Sequence, residues 1–124
     1  MRQLILVFVV MAGFMSLTRM GNVADTFVTG FEDLPLMPGL VQDQKESVLF
    51  DTPQGRIVQA SAIGDVAKDA VLSFYAATLP QLGWEAADQI TYYREGEMLR
   101  LEFKDIGQAL TVRFLSEPQS DPFR

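Results

Sequence analysis

A chain of 124 residues has room for one domain and not for two. It contains no cysteine and no histidine, which excludes a disulfide framework, a thiolate or imidazole metal site, a cysteine nucleophile and acylation at an N-terminal cysteine. The net charge is −6; Arg2 and Arg19 precede all sixteen acids, so the part after Ala24 carries −8, and a phosphate backbone would be repelled, which disfavours nucleic acid as a partner.

The chain opens with Leu4 to Leu17, an uncharged run bounded by Arg2 and Arg19. As a helix at ~1.5 Å per residue it would reach ~21 Å, short of the ~30 Å bilayer core. That length behind a positive charge fits the apolar region of a signal peptide. Asn22-Val23-Ala24 offers the best cleavage site, although Asn22 is larger than the residue expected there. An uncleaved anchor, with Arg19 snorkelling at its end, is the alternative. Residues 1–24 are therefore expected to be a signal peptide or membrane anchor. The membrane is then one partner, and the rest of the chain is periplasmic or anchored to the inner membrane facing the periplasm. A buried helix is disfavoured, because the run has no polar face.

Residues 25–45 read as an extended connector. Pro35 and Pro38 forbid a regular helix. Phe31, Leu34, Leu36, Met37 and Leu40 make the strip too apolar for a free linker. It is expected to lie either against its own domain as an extended edge or against an envelope protein, which makes these five residues candidates for partner binding.

Residues 46–116 carry the expected domain. Val48-Leu49-Phe50 begins a strand, Asp51 to Gly55 turns, and Arg56 to Ile63 returns with Val58, Ala60 and Ala62 on one face. Gly64-Asp65 starts a helix with Asp65 as its N-cap. Ala67, Val71, Phe74, Tyr75, Thr78 and Leu82 form its apolar stripe, with Phe74 at the centre. Pro80 should end the helix near Leu79, Gly83 should cap it, and Trp84 should turn the chain back to the core. Three strands follow. Ile90 to Arg94 leads through a tight Glu95-Gly96 turn, where Glu is a poor fit to the primed turn types. Met98 to Lys104 and Ala109 to Leu115 alternate, with Leu99, Leu101, Phe103, Leu110, Val112 and Phe114 inward and a loop at Asp105-Ile106-Gly107. Residues 117–124, with two prolines, read as a flexible tail. The order β-β-α-β-β-β predicts an α+β fold of two layers, one amphipathic helix on an antiparallel sheet, behind the N-terminal targeting helix.

Little in the sequence carries chemistry. Asp65 with Asp69, and Glu95 with Glu97, are pairs too small for a dedicated cation site and fit solvated surface charge. Ser47, Ser61 and Ser73 lack a histidine partner, and no glycine-rich phosphate loop is present. An enzyme is not expected, nor a cofactor. Tyr75, Trp84, Tyr92, Tyr93 and Phe103 suit a core, or the lining of a small apolar-ligand site between helix and sheet. Tyr92 and Tyr93 must point to opposite faces, which leaves Tyr93 beside Arg94 as an interface candidate.

Two stretches carry a resemblance: Phe31-Glu32-Asp33-Leu34-Pro35-Leu36-Met37-Pro38-Gly39-Leu40, and Phe74-Tyr75-Ala76-Ala77-Thr78-Leu79-Pro80-Gln81-Leu82-Gly83-Trp84. With the turn from Asp51 to Arg56 they resemble small uncharacterised envelope proteins of alphaproteobacteria, over most of residues 31–115. The resemblance implies a bacterial source and a place at the inner membrane or in the periplasm. It implies no activity and no site residues. The reading that follows is a non-enzymatic accessory or protein-interaction domain of the envelope, with a periplasmic binder of an apolar ligand as the alternative.

Overall fold

Apolar side chains at every second position pair across the longest ladder of the sheet: Leu101 faces Phe114 and Phe103 faces Val112. The same face continues across the next ladder, where Phe114 meets Ala60 and Val112 meets Ala62. A computed structural model describes residues 26–119. Six strands form one wholly antiparallel sheet: β1 (Val41–Thr52), β2 (Gly55–Gly64), β3 (Glu85–Ala86), β4 (Thr91–Arg94), β5 (Glu97–Ile106) and β6 (Ala109–Pro118). Their spatial order is β1-β2-β6-β5-β4-β3, so β6 returns to lie beside β2. Among the described residues the one α-helix, α1 (Lys68–Thr78), runs on into a 3₁₀ turn at Leu79–Leu82. The fold is α+β, as the element pattern implies. The expected targeting helix in residues 1–24 lies outside the described residues, as does the end of the C-terminal segment.

Val71, Tyr75 and Leu79 from the helical segment pack with Leu99, Leu101, Val112 and Phe114 from the sheet, and all seven are fully buried. Tyr75 meets Phe114 edge to face at a centroid distance of 5.4 Å. Tyr75, not Phe74, is thus the centre of the helical stripe; Phe74 is half-buried and flanks Tyr75 at 4.9 Å. Ala67 is exposed, because the helix begins only after it. Pro80 sits in the first turn of the 3₁₀ segment and Gly83 ends it at φ 94°, the left-handed geometry that a glycine cap supplies.

Several expected boundaries shift. The helix has no side-chain cap: its N-cap is Ala67, and Asp65 stands two residues outside. Gly64 still belongs to β2 and pairs with Leu110, so the chain needs Asp65 to Ala67 to leave the sheet. β1 starts at Val41, well before Val48. Its first half, Gln42 to Ser47, is polar: an edge strand carries polar side chains without penalty, and Gln42 uses its amide to bond the strip before it. The register slips between Asp43 and Val48, so residues 44–47 bulge. Glu85–Ala86 adds a short strand too small to show a pattern. The β5–β6 connection is a two-residue Gly107-Gln108 turn, since Ile106 pairs with Ala109. β6 extends to Pro118, and Gln119 donates its N–H to Gly96 O at 2.7 Å, so Glu117 to Gln119 are tied to the sheet and not free as expected.

Candidate functional site

The strip before β1 folds back on itself and onto the helix. Phe27 bridges Pro35 in antiparallel fashion, Val28 N–H donates to Leu34 O at 2.8 Å, and Leu36 N–H donates to Thr26 O at 3.0 Å. The Gln42 side chain secures the loop between these arms: Thr29 donates to its Oε1 from both N–H and Oγ1, and its Nε2 donates to Phe27 O at 2.9 Å. Prolines that forbid a helix thus leave an extended strip whose backbone groups are met by its own other arm.

Two side chains from the rest of the domain hold this strip. The Tyr75 hydroxyl donates to Pro35 O at 2.8 Å and accepts from Met37 N–H at 3.2 Å. Burial pushes the Tyr75 phenol far above the usual tyrosine range. Arg94 donates to Asp33 from both guanidinium nitrogens, at 2.8 and 3.3 Å, and to Leu82 O at 2.9 Å. Its guanidinium carbon also lies 4.3 Å from the centre of the Trp84 ring. The hydrogen bond to Asp33 is the main cause that holds the Arg94 pKa above its ordinary value.

These contacts decide the fate of the candidate partner-binding residues. Leu34, Leu36 and Leu40 are buried in the core of their own domain, and Phe31 and Met37 pack against it half-buried. Of the two destinations open to the strip, the domain itself receives it: the three leucines are enclosed, while Phe31 and Met37 keep part of their surface open. Arg94 is engaged by Asp33, Leu82 and Trp84. Tyr93 projects to the opposite face of β4, half-buried opposite Met98, so Tyr93 and Arg94 do not form one site.

The sheet's second face carries what sequence reasoning missed. Register places Val48, Gln59, Leu115 and Arg100 in one row across four strands. Phe50 beside Ile57, and Met98 beside Tyr93, extend it on one side. The 44–47 bulge brings Glu46 to this face, 3.8 Å from Arg113, which also lies 3.6 Å from Glu102. A groove of about 420 Å³ runs beside these charges, with Ile63, Ile106 and Lys104 in its walls. The available signal was the uninterrupted Val48-Leu49-Phe50: three consecutive apolar residues in a strand cannot all face one core. No group of three metal-ligating side chains occurs among the described residues. Comparisons with protein-family models, with curated proteins and with solved structures gave no match to this chain.

Proposed function

We propose that this chain is a non-enzymatic protein-interaction domain of the bacterial envelope, held at the inner membrane or released into the periplasm through its N-terminal segment. One observation carries the reading: the helix and the strip cover one face of a six-stranded sheet, while Val48, Phe50, Ile57, Met98 and Leu115 stand on the other with no layer above them among the described residues. Val48 and Phe50 are exposed there with Ile57, Met98 and Leu115 half-buried beside them, and contiguous apolar surface of this kind supports a reading as an association surface. The groups whose pKa values are raised by their surroundings, Tyr75, Tyr92 and Arg94, are weaker acids for it and fit structural roles. A ligand between helix and sheet is less well supported, because Val71, Tyr75 and Leu79 already fill that layer.

Placing a photo-crosslinking amino acid at Ile57, Met98 or Leu115 in membranes tests the surface, with Ser73 on the exposed side of α1 as the control. Adducts are expected from the three sheet positions and not from Ser73. Silence at all three would remove the reading. Fusing residues 1–30 to a reporter active only in the periplasm tests the location; an inactive, cytosolic fusion would remove that part.

A further inference from the structure

Between the strip and the sheet, at the end of the domain where Arg94 meets Asp33, a cavity of about 170 Å³ remains. Phe31, Val58 and Trp84 give it apolar walls, and Ser116 also lines it. Register sets Ser116 in one inward row with Val58 and Leu99, where it is only 4% exposed. Its hydroxyl takes part in none of the side-chain hydrogen bonds among the described residues. No fully enclosed side-chain polar atom there lacks a partner, so this hydroxyl reaches open space, and the cavity is the space it lines. A hydroxyl so placed is bonded from outside the chain.

Charge at the mouth decides what kind of molecule fits. Arg94 is held by Asp33, and Arg56 stands 3.6 Å from Asp51. Glu32 and Glu97 line the same cavity, are exposed, and make no ion pair among the described residues; Glu97 acts on Arg94 only from a distance. The uncompensated charge is therefore negative. Glu97 is also the diagonal neighbour of Ser116 on the inward face, since Leu99 faces Ser116 and Glu97 faces Pro118. The aromatic wall from Phe31 favours a cation as well. In size the space is close to the ~150 Å³ cavity that admits one benzene ring. We infer that this cavity binds a small organic cation, its ammonium seated between Ser116 Oγ and the Glu97 carboxylate and its apolar group, about one ring in size, against Phe31, Val58 and Trp84. The site lies on the helix side of the sheet, opposite the uncovered face, and does not depend on how that face is used.

Trp84 is the single tryptophan of the chain and lines the cavity, so its fluorescence reports occupancy. The full chain in non-ionic detergent is titrated with benzylammonium, and with benzyl alcohol and benzoate as probes of similar shape and different charge. Benzylammonium should give a saturable change with half-saturation near ~1 mM, the range open to a ligand of so few atoms. Benzyl alcohol should need a several-fold higher concentration, and benzoate should not saturate. Glu97→Gln should weaken benzylammonium several-fold and leave benzyl alcohol unchanged, a split that general loosening of the site would not produce. Ser116→Val fills the space with a branched apolar side chain and should abolish saturation while circular dichroism keeps the wild-type spectrum. If that variant does not fold, the exposed Glu97 position carries the test alone. No saturable change with benzylammonium, equal half-saturation for benzylammonium and benzyl alcohol, or a folded Ser116→Val chain that binds as wild type overturns the inference and leaves Ser116 bonded to water.

Discussion

Arg94 and Asp33 lie 61 positions apart in the chain and meet at 2.8 Å, closing the strip before β1 onto the end of the helical segment. The pair is partly open to solvent, with side-chain exposures of 23 and 46%, so screening reduces its worth. Asp33→Asn should cost about 0.5–1 kcal/mol. Arg94→Ala should cost about 1–3 kcal/mol, because Leu82 O and the Trp84 ring lose their partner as well. Urea denaturation of both single variants and the double variant checks this. The double variant should be little worse than Arg94→Ala; full additivity would mean that the two groups do not act together.

Tyr75→Phe should destabilise by about 1–3 kcal/mol, because Pro35 O and Met37 N–H both lose the hydroxyl in a dry site. The hydroxyl also gives stability a dependence on high pH. Its folded pKa is raised above the ordinary value of 10.0, so the neutral form is favoured in the native state. The contribution is complete below that ordinary value. It is lost as pH rises from about 10 toward the folded value, because the unfolded chain releases its proton first. Thermal melts between pH 8 and pH 11 should show stability falling above about pH 10. Tyr75→Phe should flatten that fall while leaving the smaller share from Tyr92, which burial also raises.

The parts of this fold that local pattern dictates were legible. Leu99-Leu101 and Leu110-Val112-Phe114 announce their strands and inward faces by alternation, and Pro80-Gly83 announces the end of the helix. The strip was legible by half. Its prolines and leucines require an extended, buried segment, but its seat is set by Tyr75 and Arg94, whose distance along the chain no local periodicity spans. The polar start of β1 looks like a linker, because an edge strand can be polar without penalty. The uncovered face follows from the register of four strands, which only the folded sheet reveals. The Asp65 cap failed because Gly64 still pairs with Leu110 in β2, where it lies close against the backbone of Gly39, so the helix starts later.

That close approach yields a test of its own. A Cβ on Gly64 would collide with Gly39 O, a backbone atom that cannot swing aside, and would press on Leu40 Cδ2 at 3.2 Å. Gly64 is not at positive φ, so alanine meets no dihedral penalty there and any loss is steric. Gly64→Ala should cost about 1–3 kcal/mol, the usual range for forced overpacking. Gly107→Ala is the contrast, with φ 64° and open space around its Cβ; it should cost only about 1 kcal/mol, from backbone strain. Equilibrium unfolding of the two variants ranks them.

Glu95 is the only non-glycine among the described residues at positive φ, at 48°, and Gly96 follows at 80°. Two successive positive φ values are what a type I′ hairpin turn demands, and Asn-Gly is its favoured pair. Glu95→Asn should therefore stabilise the domain by about 0.5–1 kcal/mol. Thermal melting reads the gain as a Tm increase of several degrees, since about 1 kcal/mol shifts a domain of this size by ~4–8 °C. Glu95 is exposed, so an unchanged or lower Tm would mean that the turn tolerates Glu without strain or that its charge beside Arg94 offsets the strain.

The strongest expectation concerns the strip itself. Val28, Leu34, Leu36 and Leu40 belong to the same buried cluster as Tyr75 and Phe114, so the strip is part of the core and not an accessory to it. Leu34 is 1% exposed, and its carbonyl accepts from Val28 N–H. Leu34→Ala should cost about 2–5 kcal/mol through lost burial and the cavity left behind. A small domain holds only ~5–15 kcal/mol in all, so this one change should bring it near unfolding at 37 °C. Pro38→Ala, at an exposed position of the same strip, should cost far less and controls for loss of backbone stiffness. Removing residues 26–40 should abolish the cooperative melt altogether, because it strips four side chains from the core and leaves the Tyr75 hydroxyl and Arg94 without their partners. Circular dichroism melts of the three variants distinguish a core segment from a tether. A tether would leave all three with the wild-type transition, whereas a core segment orders them as Pro38→Ala, then Leu34→Ala, then the deletion.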